Sequence, residues 1–243
     1  MRPSRAGASW ILGDVSVDLS EPVDVKYVLL THHHIGHISG LSRSSPRAVV
    51  ANPFEVAMLT DEARFRGYVA AVFRRAGAPL KDMPAARAGA RFARIAAGWV
   101  DLDEFSAQVL PCGSHTWGHT CFKIDEGIFV GDVGGWIVSV DSLRRAIALL
   151  RSLGDATVYP AHEPPTTAAQ YAEILEGRLR RLLRAYEECS SEGVPYAMAL
   201  CARGEGDALR LAEEGIAFAK YLAEIGLAKL IVRGGRYRVK KVG

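Results

Sequence analysis

Short apolar runs separated by turn residues fill the first third of the chain. SWILGD (9–14), VSVDL (15–19), KYVLL (26–30) and RAVVANP (47–53) are rich in β-branched and aliphatic residues, and they predict the strands of a sheet. The period then changes. PFEVAMLTDEARFRGYVAAVFRRAG (53–77) has helical spacing, with Thr60 or Asp61 placed to cap its later part and Gly77 to stop it. The middle of the chain, 99–135, returns to strand-like runs broken by Gly and Pro. Within it, CFKIDEGIFVGD (121–132) predicts two strands joined by a tight Asp-Glu-Gly turn.

Beyond this point helical periodicity dominates. DSLRRAIALLRSLG (141–154) predicts an amphipathic helix with Asp141 as N-cap and Gly154 at its end, followed by the short strand ATVYP (156–160). A long helix over 166–193 turns an Arg-rich face to solvent and its Leu residues inward. From about Val194 the pattern reads helix, helix, then two short strands around Gly234-Gly235, the order of a small winged-helix-like module. The expected division is 1–190 for the main domain and 191–243 for the module. No internal repeat or low-complexity linker interrupts the chain.

With 243 residues, 49% of them hydrophobic, the chain can bury a substantial core. No apolar run is long enough to cross a bilayer, and Asp14 falls too early for a secretory leader, so the expectation is a cytoplasmic protein without membrane contact. The net charge of +3 is mild, and the basic residues are dispersed except in RGGRYRVKK (233–241). That cluster admits RNA as a partner without implying it. One Asn (Asn52) and two Gln (Gln108, Gln170) are few thermolabile amides, the composition of a thermophile protein. The four cysteines form no CxxC pair, so buried reduced thiols are expected; Cys189 and Cys201 are a secondary candidate pair, because thermophile interiors tolerate disulfides.

The seven histidines carry the chemistry. They lie in three short segments, His32, His33, His34 and His37, then His115 and His119, then His162, and each segment follows an apolar strand. Loops at strand ends are where a rigid scaffold brings distant residues together, so one shared site is expected. Neutral imidazole is the commonest metal ligand, and zinc takes nitrogen at roughly 2.0–2.1 Å. His32 and His34, one residue apart, project to the same side of an extended strand end, and His115 completes a facial set. Asp132, at the end of IFVGD, supplies a carboxylate, and His162 a further nitrogen.

The motifs THHHIGH (31–37), GSHTWGHT (113–120), FVGD (129–132) and YPAH (159–162), in that order, resemble the metallo-β-lactamase superfamily over roughly residues 10–165. The resemblance implies an α/β fold, a four-layered αββα metallo-β-lactamase sandwich with a metal site at one edge of the paired sheets. It also implies a hydrolase in which a metal-bound water, held by His32, His34, His115 and Asp132, is the nucleophile. His32, His34 and His115 correspond to ligands of a first ion, Asp132 to a bridging carboxylate, and His37 and His162 to ligands of a second. The chain departs from the family pattern at Gly36, where an Asp ligand is usual, and more mildly at Trp117 and Ala161. Three consequences compete: a weak or absent second ion, replacement of the missing carboxylate by Glu163, or metal binding without hydrolysis.

The leading expectation is a zinc-dependent hydrolase of a small ester or thioester, with iron or manganese as alternative metals and one or two ions per chain. A phosphodiesterase or endoribonuclease using the basic tail is the alternative, and a non-catalytic metal-binding protein is the third reading. A homodimer is the default assembly. His33 and His119, at variable motif positions, are expected as supporting donors or exposed side chains. Thr31 and Thr116 are expected to hold loop backbones, and Cys112 to be a small buried thiol.

Overall fold

The structure is a computed structural model that describes residues 2–81, 83, 90–95, 97–125 and 127–242. The four N-terminal runs form strands, and a strand the sequence did not mark, β1 (Ser4–Ala6), precedes them; β1 pairs antiparallel with β2 (Ser9–Leu12), and β2 with β3 (Val15–Val17). Parallel to β3 follow β4 (Tyr27–Leu30), β5 (Ala48–Ala51) and β6 (Phe92–Arg94), completing a six-stranded sheet in sequence order. Val28, Leu29 and Leu30 of β4 are wholly buried. The reason is that both faces of a parallel sheet are covered, so a continuous apolar run replaces alternation.

The middle of the chain builds a second six-stranded sheet. It contains β7 (Gly98–Leu102), β8 (Phe105–Pro111), β9 (Thr120–Ile124), β10 (Gly127–Gly131), β11 (Thr157–Pro160) and β12 (Thr166–Thr167). Only β10 and β11 are parallel in it. Asp125, with φ of 49°, opens the expected turn between β9 and β10; Glu126 lies outside the described residues. The two sheets meet through Val15, Val17, Leu29 and Val50 on one side and Val109, Phe122, Ile124 and Phe129 on the other. These are alternate residues of their strands, and their neighbours Val28, Leu30 and Val49 face an outer helical layer.

Helices cover both outer faces and complete four layers. The segment 53–77 is two helices, α2 (Pro53–Thr60) and α3 (Glu62–Ala76), after a short α1 (Ile35–Ile38). Asp61 caps α3 by accepting from the Arg64 backbone N–H, and left-handed Gly77 ends it, as expected. On the other face lie α4 (Val140–Ser152) and α5 (Ala168–Glu188). The N-cap of α4 is Ser139, whose Oγ accepts from the Ser142 N–H, and not Asp141. Asp141 instead sits in the first turn, where its charge favours the helix dipole. A Thr167/Gln170 capping box starts α5.

The cysteines differ from expectation. Cys112 pairs with Cys121 and Cys189 with Cys201, at Cα separations of 5.8 and 5.9 Å, so the secondary candidate pair forms and Cys112 is not a thiol. The reason is register: Leu110 faces Cys121 across β8 and β9, which places Cys112 next to it, a proximity that spacing of nine residues does not announce.

The final segment contains α6 (Pro195–Arg203), α7 (Ala208–Glu224) and the ribbon β13 (Ala228–Arg233) with β14 (Arg236–Lys241), turning on Gly234-Gly235. Both glycines have positive φ, as a two-residue hairpin requires. Met198, Ala199, Leu211 and Phe218 of α6 and α7 share one apolar cluster with Leu143, Ile147, Tyr171 and Leu175 of α4 and α5. At its centre Glu214, fully buried, accepts from the Ile137 N–H at 2.9 Å, the Tyr186 hydroxyl at 2.8 Å and Arg203 Nε at 2.7 Å. Replacing one partner of such a buried pair leaves the other charge unmatched. Glu214→Ala is therefore expected to lower unfolding free energy by about 3–5 kcal/mol in chemical denaturation, against near neutrality for an exposed control such as Glu224→Ala.

Candidate metal centre

The strand order converts three distant histidine segments into neighbours. Parallel β3 and β4 end together, delivering Asp18 and the loop 31–37; parallel β10 and β11 end together, delivering Asp132 and His162; and the β8–β9 connection supplies His115 and His119. Gly131 lets the loops touch. It has φ of 53°, and a Cβ there would lie 2.6 Å from Thr31 Oγ1, so no larger residue fits between Asp132 and the first histidine loop.

Among the described residues two groups of potential ligand atoms result, with all atoms in each within 4.8 Å of one another: His32, His34 and His115, and His32, His37 and Asp132. His34 Nδ1 is 2.9 Å from His115 Nε2. Asp132 Oδ2 lies 3.6 Å from His115 Nε2, 3.9 Å from His32 Nε2 and 3.3 Å from His37 Nε2. His162, whose side chain is 62% exposed, places Nε2 3.3 Å from Asp132 Oδ1. It stands at the rim and belongs to neither group.

Hydrogen bonds set which nitrogen each ring presents. Asp18 accepts from the Thr31 N–H at 2.8 Å and from the Thr31 hydroxyl at 2.8 Å; the hydroxyl then accepts from His32 Nδ1 at 3.0 Å. His32 is thereby fixed with Nε2 bare, and that buried atom has no hydrogen-bond partner. His115 donates Nδ1–H to the Trp136 carbonyl at 2.9 Å, which bares its Nε2 as well. Burial depresses the pKa of His32 and His34 well below normal and that of His115 to about 3, so these rings are neutral, the state in which imidazole binds metal. Neutral, desolvated imidazole nitrogens gathered this closely, with His32 Nε2 lacking any hydrogen-bond partner, fit a divalent cation.

His37 behaves differently. Burial alone would lower its pKa, but the carboxylates of Asp18, accepting from Nδ1 at 2.7 Å, and Asp132 raise it to about 10. Desolvation is likewise overcome at Asp132, whose pKa is lowered chiefly by the hydrogen bond and charge of His37.

The supporting threonines depart from expectation, whereas His33 is the supporting donor that was expected. Thr31 and Thr116 hold buried carboxylates, not loop backbones: Thr116 donates to Glu55 at 2.6 Å. His33 is buried, and both its backbone N–H and its Nδ1 donate to Glu55. Against its own desolvation, Glu55 is kept ionised mainly by His33, and the His33 pKa is raised in turn by Glu55. His119 is also buried, and neither ring nitrogen has a hydrogen-bond partner. Glu163 lines a small cavity with Asp132 and His162, and its Oε1 is ion-paired with Arg178.

Asp18 and Glu55 were not among the sequence candidates, although each left a signal. Asp18 interrupts an apolar strand run, and Glu55 is the only charged residue of PFEVAMLT. Charges in such positions are buried only when paired. Gly36, by contrast, is not required by the backbone. Its φ is not positive, and a Cβ there meets nothing within 4 Å, so a side chain is sterically admissible.

No protein-family model matches the chain. Its structure aligns with that of a metallo-beta-lactamase family protein from Thermus thermophilus at a TM-score of 0.73 and 18% identity, over 96% of this chain and 92% of that one. A beta-lactamase domain protein from Burkholderia ambifaria aligns at 0.67 and 16% identity, over 96% and 83%. A double mutant of the sec-alkyl sulfatase PisA1 aligns at 0.54 and 14% identity, over 92% of this chain but 49% of that one. The chain therefore has the metallo-β-lactamase fold; likeness at this identity carries architecture, not reaction.

Two outcomes are expected from substitutions at this edge. Gly36→Asp folds normally and raises metal content by elemental analysis from about one to about two ions per chain, since it restores a carboxylate beside His37. Glu55→Gln loosens both histidine loops and weakens metal retention roughly 10–100-fold in a chelator competition, without contacting the ion.

Proposed function

We propose that this protein, built on the metallo-β-lactamase fold, is a metal-dependent hydrolase of small esters or thioesters. The observation that carries the reading is the convergence of the neutral rings of His32, His34 and His115 beside Asp132, with His32 Nε2 buried and unpartnered. A zinc ion, or iron or manganese in the same place, would acidify a water and polarise a carbonyl. The chain's own residues supply the rest. The Asp18–Thr31–His32 relay and the His115–Trp136 bond orient two of the rings, and Asp132 is held ionised next to them. Ile35 and Trp117, 64% and 51% exposed and adjacent in sequence to His34 and Thr116, are apolar side chains of the histidine loops that an acyl chain would meet.

Phosphodiester cleavage is a second reading, favoured by one feature. Lys229, Arg233, Arg236, Arg238, Lys240 and Lys241 all lie on the β13–β14 ribbon, a basic strip suited to phosphates. RNA cleavage that falls steeply with salt would support it over the ester reading.

Hydrolysis of neutral aryl esters and acyl thioesters is expected to fall to background after chelation and to return with zinc, iron or manganese. His115→Ala should abolish both turnover and metal retention while leaving the circular dichroism spectrum intact. A protein that retains metal tightly yet turns over no ester, thioester or phosphodiester would sink the proposal.

A further inference from the structure

A cavity of about 640 Å³ lies beside the metal centre, within the usual size of a small-molecule site. Its walls come from the loop after Asp132 and from α5 and α6. Trp136, Leu182 and Ala202 make an apolar side, and Arg178, Arg181 and Arg203 a cationic one. A smaller cavity of about 90 Å³, lined by Asp132 and His162, shares Gly135 and Arg178 with it, so the two spaces adjoin. The Trp136 backbone carbonyl that orients His115 belongs to the same wall.

The three guanidiniums are incompletely used. Glu163 engages Nη2 of Arg178 from outside the cavity lining, and Arg203 gives Nε and Nη2 to Glu214 and Nη2 also to the Gly135 carbonyl in the cavity wall, which leaves its Nη1. Among the described residues no carboxylate is ion-paired with Arg181, and no acidic residue lines the cavity. Arg178 and Arg181, three residues apart on α5, present their side chains on one helix face. Arg203 stacks over Trp136 with its guanidinium carbon 4.7 Å from the ring centroid, which leaves the aromatic wall and a cation side by side. The Arg181 guanidinium and the remaining N–H groups of Arg178 and Arg203, beside an apolar wall, suit a carboxylate or phosphate on an apolar stem.

We propose that this cavity binds the anionic end of the substrate, a carboxylate or phosphate carried on an apolar group, while the scissile carbonyl lies at His115 and Asp132. The inference rests on the hydrolase reading for its second half only. Anion binding by Arg178, Arg181 and Arg203 stands without any turnover.

The test is calorimetric titration of the metal-bound protein with phenylacetate, phenyl phosphate and neutral phenylacetamide. At least one anion is expected to bind about tenfold or more tightly than the amide. Arg181→Gln is expected to remove about that factor for the anion and to leave the amide unchanged. Arg180→Gln, an exposed neighbour outside the cavity lining, should behave as wild type. Preference for phenylacetate assigns a carboxylate, preference for phenyl phosphate a phosphate. Equal binding of all three probes, or wild-type anion affinity in Arg181→Gln, overturns the proposal even if esters are hydrolysed. Arg181-dependent anion binding without turnover would keep it and overturn the hydrolase reading instead.

Discussion

Two carboxylates with almost no access to water, Asp18 and Glu55, hold the histidine loops in place. A buried carboxylate is tolerated only when its oxygens are saturated with donors, and here every donor is part of a loop that must be positioned. Asp18 takes Thr31 and His37, and through Thr31 it orients His32. Glu55, projecting from α2, takes His33 and Thr116 and so ties the first histidine loop to the second. The strain of assembling many imidazoles in one dry place is thus carried by two acids outside the ligand clusters. Removal of either would free a loop, not merely a hydrogen bond.

The same burial separates the histidines by charge state. His32, His34 and His115 are driven neutral by desolvation and one another's proximity, while His37, between Asp18 and Asp132, is driven the other way. Gly36 sits next to this divided site in open space, with a backbone any residue could adopt. The missing carboxylate is therefore a chemical choice at this position and not a steric one. The Cys112–Cys121 bridge closes the loop that carries His115 and His119 at its base, adding a covalent constraint to the hydrogen bonds from Cys112 and Gly113 to the His119 carbonyl.

The C-terminal helices enter this arrangement through Glu214. It joins Tyr186 of α5, Arg203 of α6 and the Ile137 backbone of the loop that follows Asp132, so the last third of the chain braces the same loop that orients His115. The Arg-rich face of α5, read from sequence as solvated, is in part the wall of a cavity because α6 returns across it.

What the sequence by itself determined is the set of local elements and the main ligand candidates. Alternating and helical periods located the strands from Ser9 to Ala51, the hairpin of β9 and β10, α3 with its Asp61 and Gly77 ends, and the ribbon at Gly234-Gly235, because these depend on neighbours a few residues away. The histidine motifs announced His32, His34, His37, His115 and Asp132, which the structure gathers at one edge. Only the tertiary structure decided what lies between those residues. Asp18, Glu55 and Glu214 matter through partners 11 to 77 residues away, and Glu163 meets Arg178. Cys112 meets Cys121 through strand register. Each is settled by which strands end side by side, a long-range packing outcome that no local period encodes.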